Sequence, residues 1–231
     1  MQLTPEVRAA ADRLSGLLEG EQDLGKHIEI VAGVAELLVP SLVGASVTVH
    51  VNDAPFTMTA TSQEMTVLDA TQYLDGGPCV DALQGDDVAV EDLLDEDTWQ
   101  LYRPTALTDG IRSSLSTTLR GVDDEVIGAL NLYASDSDAF KGNEEMLSEV
   151  FGTKMSDLVT NADLSFMTRD WSQELPERVD ALEVTEQAAA LLAERMGWDV
   201  GEARKRLADS ARRAGAPVDR VAQAVLGLVE P

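Results

Sequence analysis

Apolar residues recur at helical spacing near the N-terminus and predict helices over Pro5–Leu18 and Leu24–Leu38. The second carries Leu24, Ile28, Val31, Ala35 and Leu38 on one face until Pro40 stops it. The period then changes from helical to alternating. In Ala45–Asn52, Val47, Val49 and Val51 alternate with Ser46, Thr48 and His50, and Asn52-Asp53-Ala54-Pro55 leads into a second alternating run, Phe56–Thr61, so the pair reads as a hairpin with one wet face. Met65–Tyr73 reads as a short helix, Asp75-Gly76-Gly77-Pro78 as a turn, and Pro78 at the first helical position opens Cys79–Leu83. Val88–Val90 is a short strand and Glu91–Leu107 an acidic, helical stretch. Ser114–Leu119 and Val126–Tyr133 form a second hairpin across the polar turn Arg120–Glu125. Together these runs predict an antiparallel sheet of about five strands flanked by helices.

After Phe140 and Gly142 a long helical stretch runs from Asn143 to Phe166, with Met146, Val150, Met155, Leu158 and Ala162 near heptad spacing. Such a stripe either packs on the sheet or forms the stalk of a homodimer, with Pro176 interrupting any single rod. Three further helices follow, Leu182–Met196, Val200–Ala214 and Pro217–Val229. Gly197 and Gly215 are placed to end the first and second, Asp199 to cap the second, and Pro217 to open the third. Leu191, Leu192, Met196, Ala203, Leu207, Ala211, Val221, Ala224, Val225 and Leu228 would share one small core, which needs support from the preceding helix or from a partner.

The 231 residues are 44% apolar and 26% charged, enough to bury a core without metal or disulfides; the single cysteine, Cys79, forms no internal bridge. No basic leader precedes an apolar run and no stretch is long enough to span a membrane, which points to a soluble, cytoplasmic protein. The net charge of −25 is unevenly placed: Met1–Leu175 holds 9 basic and 32 acidic residues, Pro176–Pro231 holds 8 and 10. A field of this sign repels membranes and nucleic acid from the N-terminal part, so any contact with a phosphate backbone falls to the tail. There Arg204, Lys205 and Arg206 are consecutive, and Arg206 and Arg213, seven apart, share a helix face near Arg195 and Arg220. Arginine stacks on unpaired bases, which suits hairpin loops better than duplex DNA; Glu202, Asp209 and Asp219 lie among these cations and allow the alternative of a solvated, ion-paired face.

Cys79 falls at a helix N-terminus, which favours thiolate, but Asp75, Asp81, Asp86 and Asp87 surround it with charge that disfavours it. It reads as a redox switch or, more simply, as a buried packing residue. His27 and His50 are the only histidines and supply neither a zinc ligand set nor a His-Glu-x-x-His motif. No nucleophile elbow, phosphate loop or kinase signature is present, and the paired acids read as solvated loops, so no metal site, no catalytic residue and no enzyme is expected.

Two parts of the chain resemble known families. Leu68-Asp69-Ala70-Thr71-Gln72-Tyr73 followed by Asp75-Gly76-Gly77-Pro78-Cys79-Val80-Asp81-Ala82-Leu83, together with the element order over Gly25–Leu164, resembles a GAF domain of the kind fused to ANTAR tails. Thr185-Glu186-Gln187-Ala188, Leu191-Leu192-Ala193-Glu194-Arg195, Glu202-Ala203, Ala211-Arg212-Arg213 and Asp219-Arg220-Val221-Ala222 are similar to an ANTAR domain, the RNA-binding module of bacterial transcription antiterminators. The chain departs from that pattern at Ala189-Ala190, where the family usually has Lys-Gly, at Arg204, where it has an aromatic, and at Gly215, where it has Asn.

The resemblance implies an α+β chain of the actinobacterial GAF-ANTAR type. Its parts are an N-terminal helix (1–22), a GAF-like sensor (23–164), a helical linker or stalk (165–178) and a three-helix ANTAR-like unit (179–231). It implies a homodimeric antitermination regulator whose tails hold RNA stem-loops through Gln187, Arg195, Arg204, Lys205, Arg206, Arg212, Arg213 and Arg220. The alternative is a ligand- or redox-sensing dimer that acts through protein contacts, its RNA binding lost. A GAF-like sheet usually encloses a cavity on one face; Tyr73, Cys79, Trp99, Tyr102, Leu115 and Leu130 are the candidates to line it. Trp99 and Tyr102, three apart on one helix, equally suit a core. No cofactor is identified, and the chemistry of any small ligand stays open.

Overall fold

In a computed structural model, which describes residues 5–18, 24–161 and 179–227, five strands form one antiparallel sheet in the order β2-β1-β5-β4-β3. They are β1 Leu42–Val51, β2 Ala54–Ala60, β3 Val88–Val90, β4 Ser113–Arg120 and β5 Val126–Ala134. Register follows the alternation of each strand. Val47 pairs with Leu130 and Leu115 with Leu132, so the apolar side chains of β1, β4 and β5 fall on one face.

That face is the main core. Ala45, Val47, Val49, Leu115, Leu119, Leu130 and Leu132 join α2 (Leu24–Ala35) through Ile28, Val31 and Val34, and Leu14 of α1 (Pro5–Leu18) joins the same cluster. The C-terminal side of the sheet is closed by α6, which begins as Glu144–Leu147, passes through a π-helical turn, Ser148–Gly152, and continues as Thr153–Asn161.

The dimer-stalk stripe is corrected here. Val150 and Met155 are buried against the chain's own sheet, with Met146 and Leu158 packed beside them, so the stripe is internal core and not a free seam; Ala162 lies outside the described residues. The physical reason is that the apolar face of the sheet needs a cover and α6 supplies the nearest amphipathic helix.

The other face of the sheet was expected to be wet and is not. Ser46, Thr48, Thr57, Ser114, Ser116 and Asn131 point from it, and all are buried. They are covered by α3 (Gln63–Asp75) and α4 (Pro78–Ala82), with α5 (Tyr102–Thr108) beside α3.

The acidic segment before α5 also departs from expectation. Only Tyr102–Thr108 is α-helical. Upstream, Asp92 Oδ1 accepts the Leu94 N–H and Glu96 Oε1 accepts those of Asp97 and Thr98, so side chains satisfy the backbone groups that a helix would have used. Trp99, with φ of 48°, therefore precedes the helix and does not share its face with Tyr102.

The tail forms α7 (Val179–Met196), α8 (Val200–Ala214) and α9 (Val218–Gly227). Asp199 caps α8 by accepting the Glu202 N–H at 3.0 Å, and Gly197 and Gly215 take left-handed φ values of 68° and 65° where α7 and α8 end. Ala188, Ala189, Leu192, Ala203, Leu207, Ala211, Val221 and Val225 make the tail core; Leu228 and the linker 165–178 lie outside the described residues. Its missing support comes from α3, whose Val67, Ala70 and Leu74, with Leu101, complete the same cluster. Among the described residues no helix is long and apolar enough to cross a membrane.

Candidate functional site

Between the polar face of the sheet and α3 lies a fully buried carboxyl, Asp69. Ser46 Oγ and Tyr133 Oη each donate to Oδ1 at 3.0 Å, and Thr57 Oγ1 donates to Oδ2 at 2.8 Å. Behind these three donors stand further ones. Asn131 Nδ2 donates to Ser46 Oγ at 3.0 Å, and Gln72 Nε2 donates to Tyr133 Oη at 3.1 Å.

The third branch is the longest, and counting protons fixes its direction. The Thr57 proton is spent on Asp69, so the 2.8 Å contact between Thr57 and Tyr73 is donated by Tyr73. The Tyr73 proton is then spent, so Thr48 donates across their 3.1 Å contact. Cys79 Sγ in turn donates to Thr48 Oγ1 at 3.1 Å. Every branch thus points its protons toward one carboxylate, the arrangement that favours its ionised form.

Burial opposes this and prevails, pushing the Asp69 carboxyl up to about 6, while the three hydroxyl donors pull it down. Burial also pushes the Cys79 thiol up to about 12, with the Asp69 charge adding to the effect. The acids flanking Cys79 in sequence are secondary: Asp69, ten residues upstream, is the larger influence. Burial first and Asp69 second hold the Tyr73 and Tyr133 hydroxyls protonated.

Beside this network the Tyr102 and Ser114 hydroxyls lie within reach of each other, and two further buried polar atoms, Ser116 Oγ and Asn131 Oδ1, have no hydrogen-bond partner among the described residues. Buried polar atoms are normally paired, so these two are places where a ligand or ordered water would bond.

Of the six residues expected to line a pocket, Tyr73, Cys79 and Tyr102 belong to this layer and Trp99 closes its rim. Trp99 Nε1 donates to Asp81 Oδ2 at 3.2 Å, and its ring meets that of Tyr102 edge-on at 6.0 Å between centroids. Leu115 and Leu130 are corrected: both sit in the apolar core on the opposite face, because in β4 and β5 their neighbours Ser114, Ser116 and Asn131 take the positions that face α3 and α4. Gln72 ties the two helices together by accepting the Cys79 N–H at 2.8 Å. The approach is so close that a Cβ on Gly77 would stand 2.4 Å from Gln72 Oε1.

Residues 27–156, more than half of the chain, match the family model described as the GAF domain. The chain belongs to the GAF family. A comparison with curated proteins gives no match. Similar solved structures include a domain described as part of a two-component sensor histidine kinase protein from Sinorhizobium meliloti (12% identity, 64% of this chain and 99% of that one, TM-score 0.49). Others are the A. aeolicus nlh2 GAF domain in an inactive state (10%, 73% and 99%, TM-score 0.49) and the reduced form of Staphylococcus aureus fRMsr (16%, 69% and 99%, TM-score 0.46). The GAF domain is a sensory module, consistent with a signalling protein.

The GAF match ends before the tail, where the cations named from sequence separate into two groups. Arg204 pairs with Glu186 at 2.5 Å, Arg206 with Glu202 at 2.7 Å while lying 4.3 Å over the Trp198 ring, and Arg212 with Asp209. These three, with Gln187, Arg195, Lys205 and Arg220, are exposed. Arg213 is not: its side chain is only 13% exposed and it turns into the GAF domain, which removes it from the outward cationic face.

Sequence reading missed most of the GAF polar layer, namely Asp69, Gln72, Asn131, Tyr133 and the strand hydroxyls. One signal was available, the acid at Asp69 in a helix segment otherwise flanked by Leu68 and Ala70.

Proposed function

We propose that this GAF protein is a regulator whose sensor half responds to a small ligand at the Asp69 layer and whose tail delivers the response by holding RNA stem-loops. The observation that carries the reading is the cationic ridge of α8. Arg204, Lys205, Arg206 and Arg212 stand exposed on one capped helix, Lys205 and Arg212 on the side away from Ala203, Leu207 and Ala211 in the core, Arg204 and Arg206 on its two flanks. Arg206, stacked on Trp198, presents a planar cation beside an aromatic ring, a pairing suited to unstacked loop bases. The sequence likeness to ANTAR domains supports the same reading, and the burial that holds the Cys79 thiol protonated speaks against a thiolate nucleophile at that position.

A second reading is favoured by a specific observation. Arg204, Arg206 and Arg212 are each already paired with a carboxylate of the tail, so their charge is partly spent within it. A tail of this kind would act through protein contacts in a ligand-sensing dimer. Pairing of two chains, which the ANTAR likeness implies, would use a surface other than the Met146–Leu158 stripe, and light scattering across working concentrations measures it directly.

Binding of the full chain to a pool of stem-loop RNAs, in low and moderate salt and beside the Lys205→Ala/Arg206→Ala double variant, separates the two. Affinity that falls with salt and with the variant supports the RNA reading, because phosphate contacts release counterions. Absence of binding by a folded protein supports the second.

A further inference from the structure

Tyr73 belongs to two structures at once. Its hydroxyl lies in the buried layer between Thr48 and Thr57, while its ring and its backbone carbonyl face the tail. Arg213 of α8 engages both: the guanidinium carbon lies 5.0 Å from the ring centroid, and Nη2 donates to the Tyr73 carbonyl at 3.3 Å. From the same guanidinium Nη1 donates to the carbonyl of Pro55 in β2 at 3.2 Å, and Nε donates to Asp209 at 3.0 Å.

The position of this cation has a physical reason. The Tyr73 carbonyl is among the last four of α3, which have no acceptor role inside the helix and form its negative end. The helix has no basic residue in its last turn and ends on Asp75, so its own sequence leaves that end uncompensated. Arg213, 140 positions further along the chain, supplies the missing cation. Around it, Val67, Ala70, Leu74 and Leu101 of the GAF domain and Leu207, Ala211 and Ala214 of the tail form one continuous buried cluster.

We infer that α3 is a two-faced lever to which Arg213 latches the tail, and that whatever takes the Tyr73 hydroxyl away from Thr48 and Thr57 unlatches α8. While the latch is closed, Arg213 is withdrawn from external ligands and the α8 face bearing Leu207 and Ala211 is covered; when it opens, both are offered. The inference holds whatever the tail recognises and so does not depend on RNA binding. A few charge-assisted hydrogen bonds make such a contact firm but reversible.

Hydrogen exchange on the full chain tests it, comparing wild type with Arg213→Gln, Tyr73→Phe and Thr57→Val. Tyr73→Phe keeps the ring and carbonyl that Arg213 uses and removes only the hydroxyl. Arg213→Gln is expected to speed exchange of the α8 amides by about tenfold. Tyr73→Phe and Thr57→Val are expected to speed the same amides by a smaller factor, with those of β1 and β5 unchanged as the control for folding. Unchanged α8 exchange in Arg213→Gln would overturn the latch. Faster α8 exchange in Arg213→Gln, with none in either Tyr73→Phe or Thr57→Val, would overturn its connection to the buried layer.

Discussion

Tyr133 of β5 donates to Asp69 of α3 at 3.0 Å, and in doing so it passes on the support that it receives from Gln72, one turn further along the same helix. The helix is thus held to the sheet by a carboxylate that burial disfavours and hydroxyls favour. Because its carboxyl is raised to about 6 in the folded chain, above the unfolded value near 4, Asp69 binds a proton more readily when folded. Its contribution is greatest below about pH 4 and is lost as pH rises through 6, by about 3 kcal/mol in all. Asp69→Asn should remove that dependence. Urea unfolding of both proteins from pH 4 to 7 reads it as a difference in slope, and parallel curves would refute the assignment.

Cys79 provides the outermost proton of the longest donor chain, and its thiol is pushed up to about 12. Alkylation at pH 8 should be slower in the folded protein than in the unfolded chain by about a thousandfold from thiolate population alone. Fast stoichiometric labelling of the folded protein would instead favour a redox role.

Leu115 and Leu130 are buried in the apolar core and not beside the polar layer. Leu115→Ala and Leu130→Ala should each lower stability by about 2–5 kcal/mol. Chemical denaturation measures this. A loss well below that range at both positions would mean that the face is less tightly packed than described.

Met155 is equally internal. Met155→Ala should cost about 2–5 kcal/mol and leave the dependence of the thermal midpoint on protein concentration as it is in the wild type. A midpoint that rises with concentration in wild type and ceases to do so in the variant would restore the stripe as a seam between chains.

Much of the fold was legible because local chemistry decided it. The alternation in Ala45–Asn52, the proline that opens α4, and Asp199 and Gly215 at the ends of α8 each act within a few residues. What was not legible required knowing what covers a face. A period of two says that Ser46 and Thr48 share a side, but not that α3 and α4 close over it, and so a buried layer read as a wet one. The same gap misplaced Leu115 and Leu130: apolar residues were chosen for a pocket that the fold lines with hydroxyls. Arg213 shows the limit from the other end, since its spacing from Arg206 identifies a shared helix face without showing that α3 would claim one member of it.

The outer strip of α3 has a consequence for where this protein can be divided. Val67, Ala70 and Leu74 turn away from the sheet and find their cover in helices that begin at residue 179, well past the end of the family match at 156. A chain cut between the two would carry a bare apolar stripe ending in an unneutralised helix terminus, a surface prone to self-association. The segment delimited by the family match is in this sense smaller than the packed unit, since part of the cover of α3 lies beyond it.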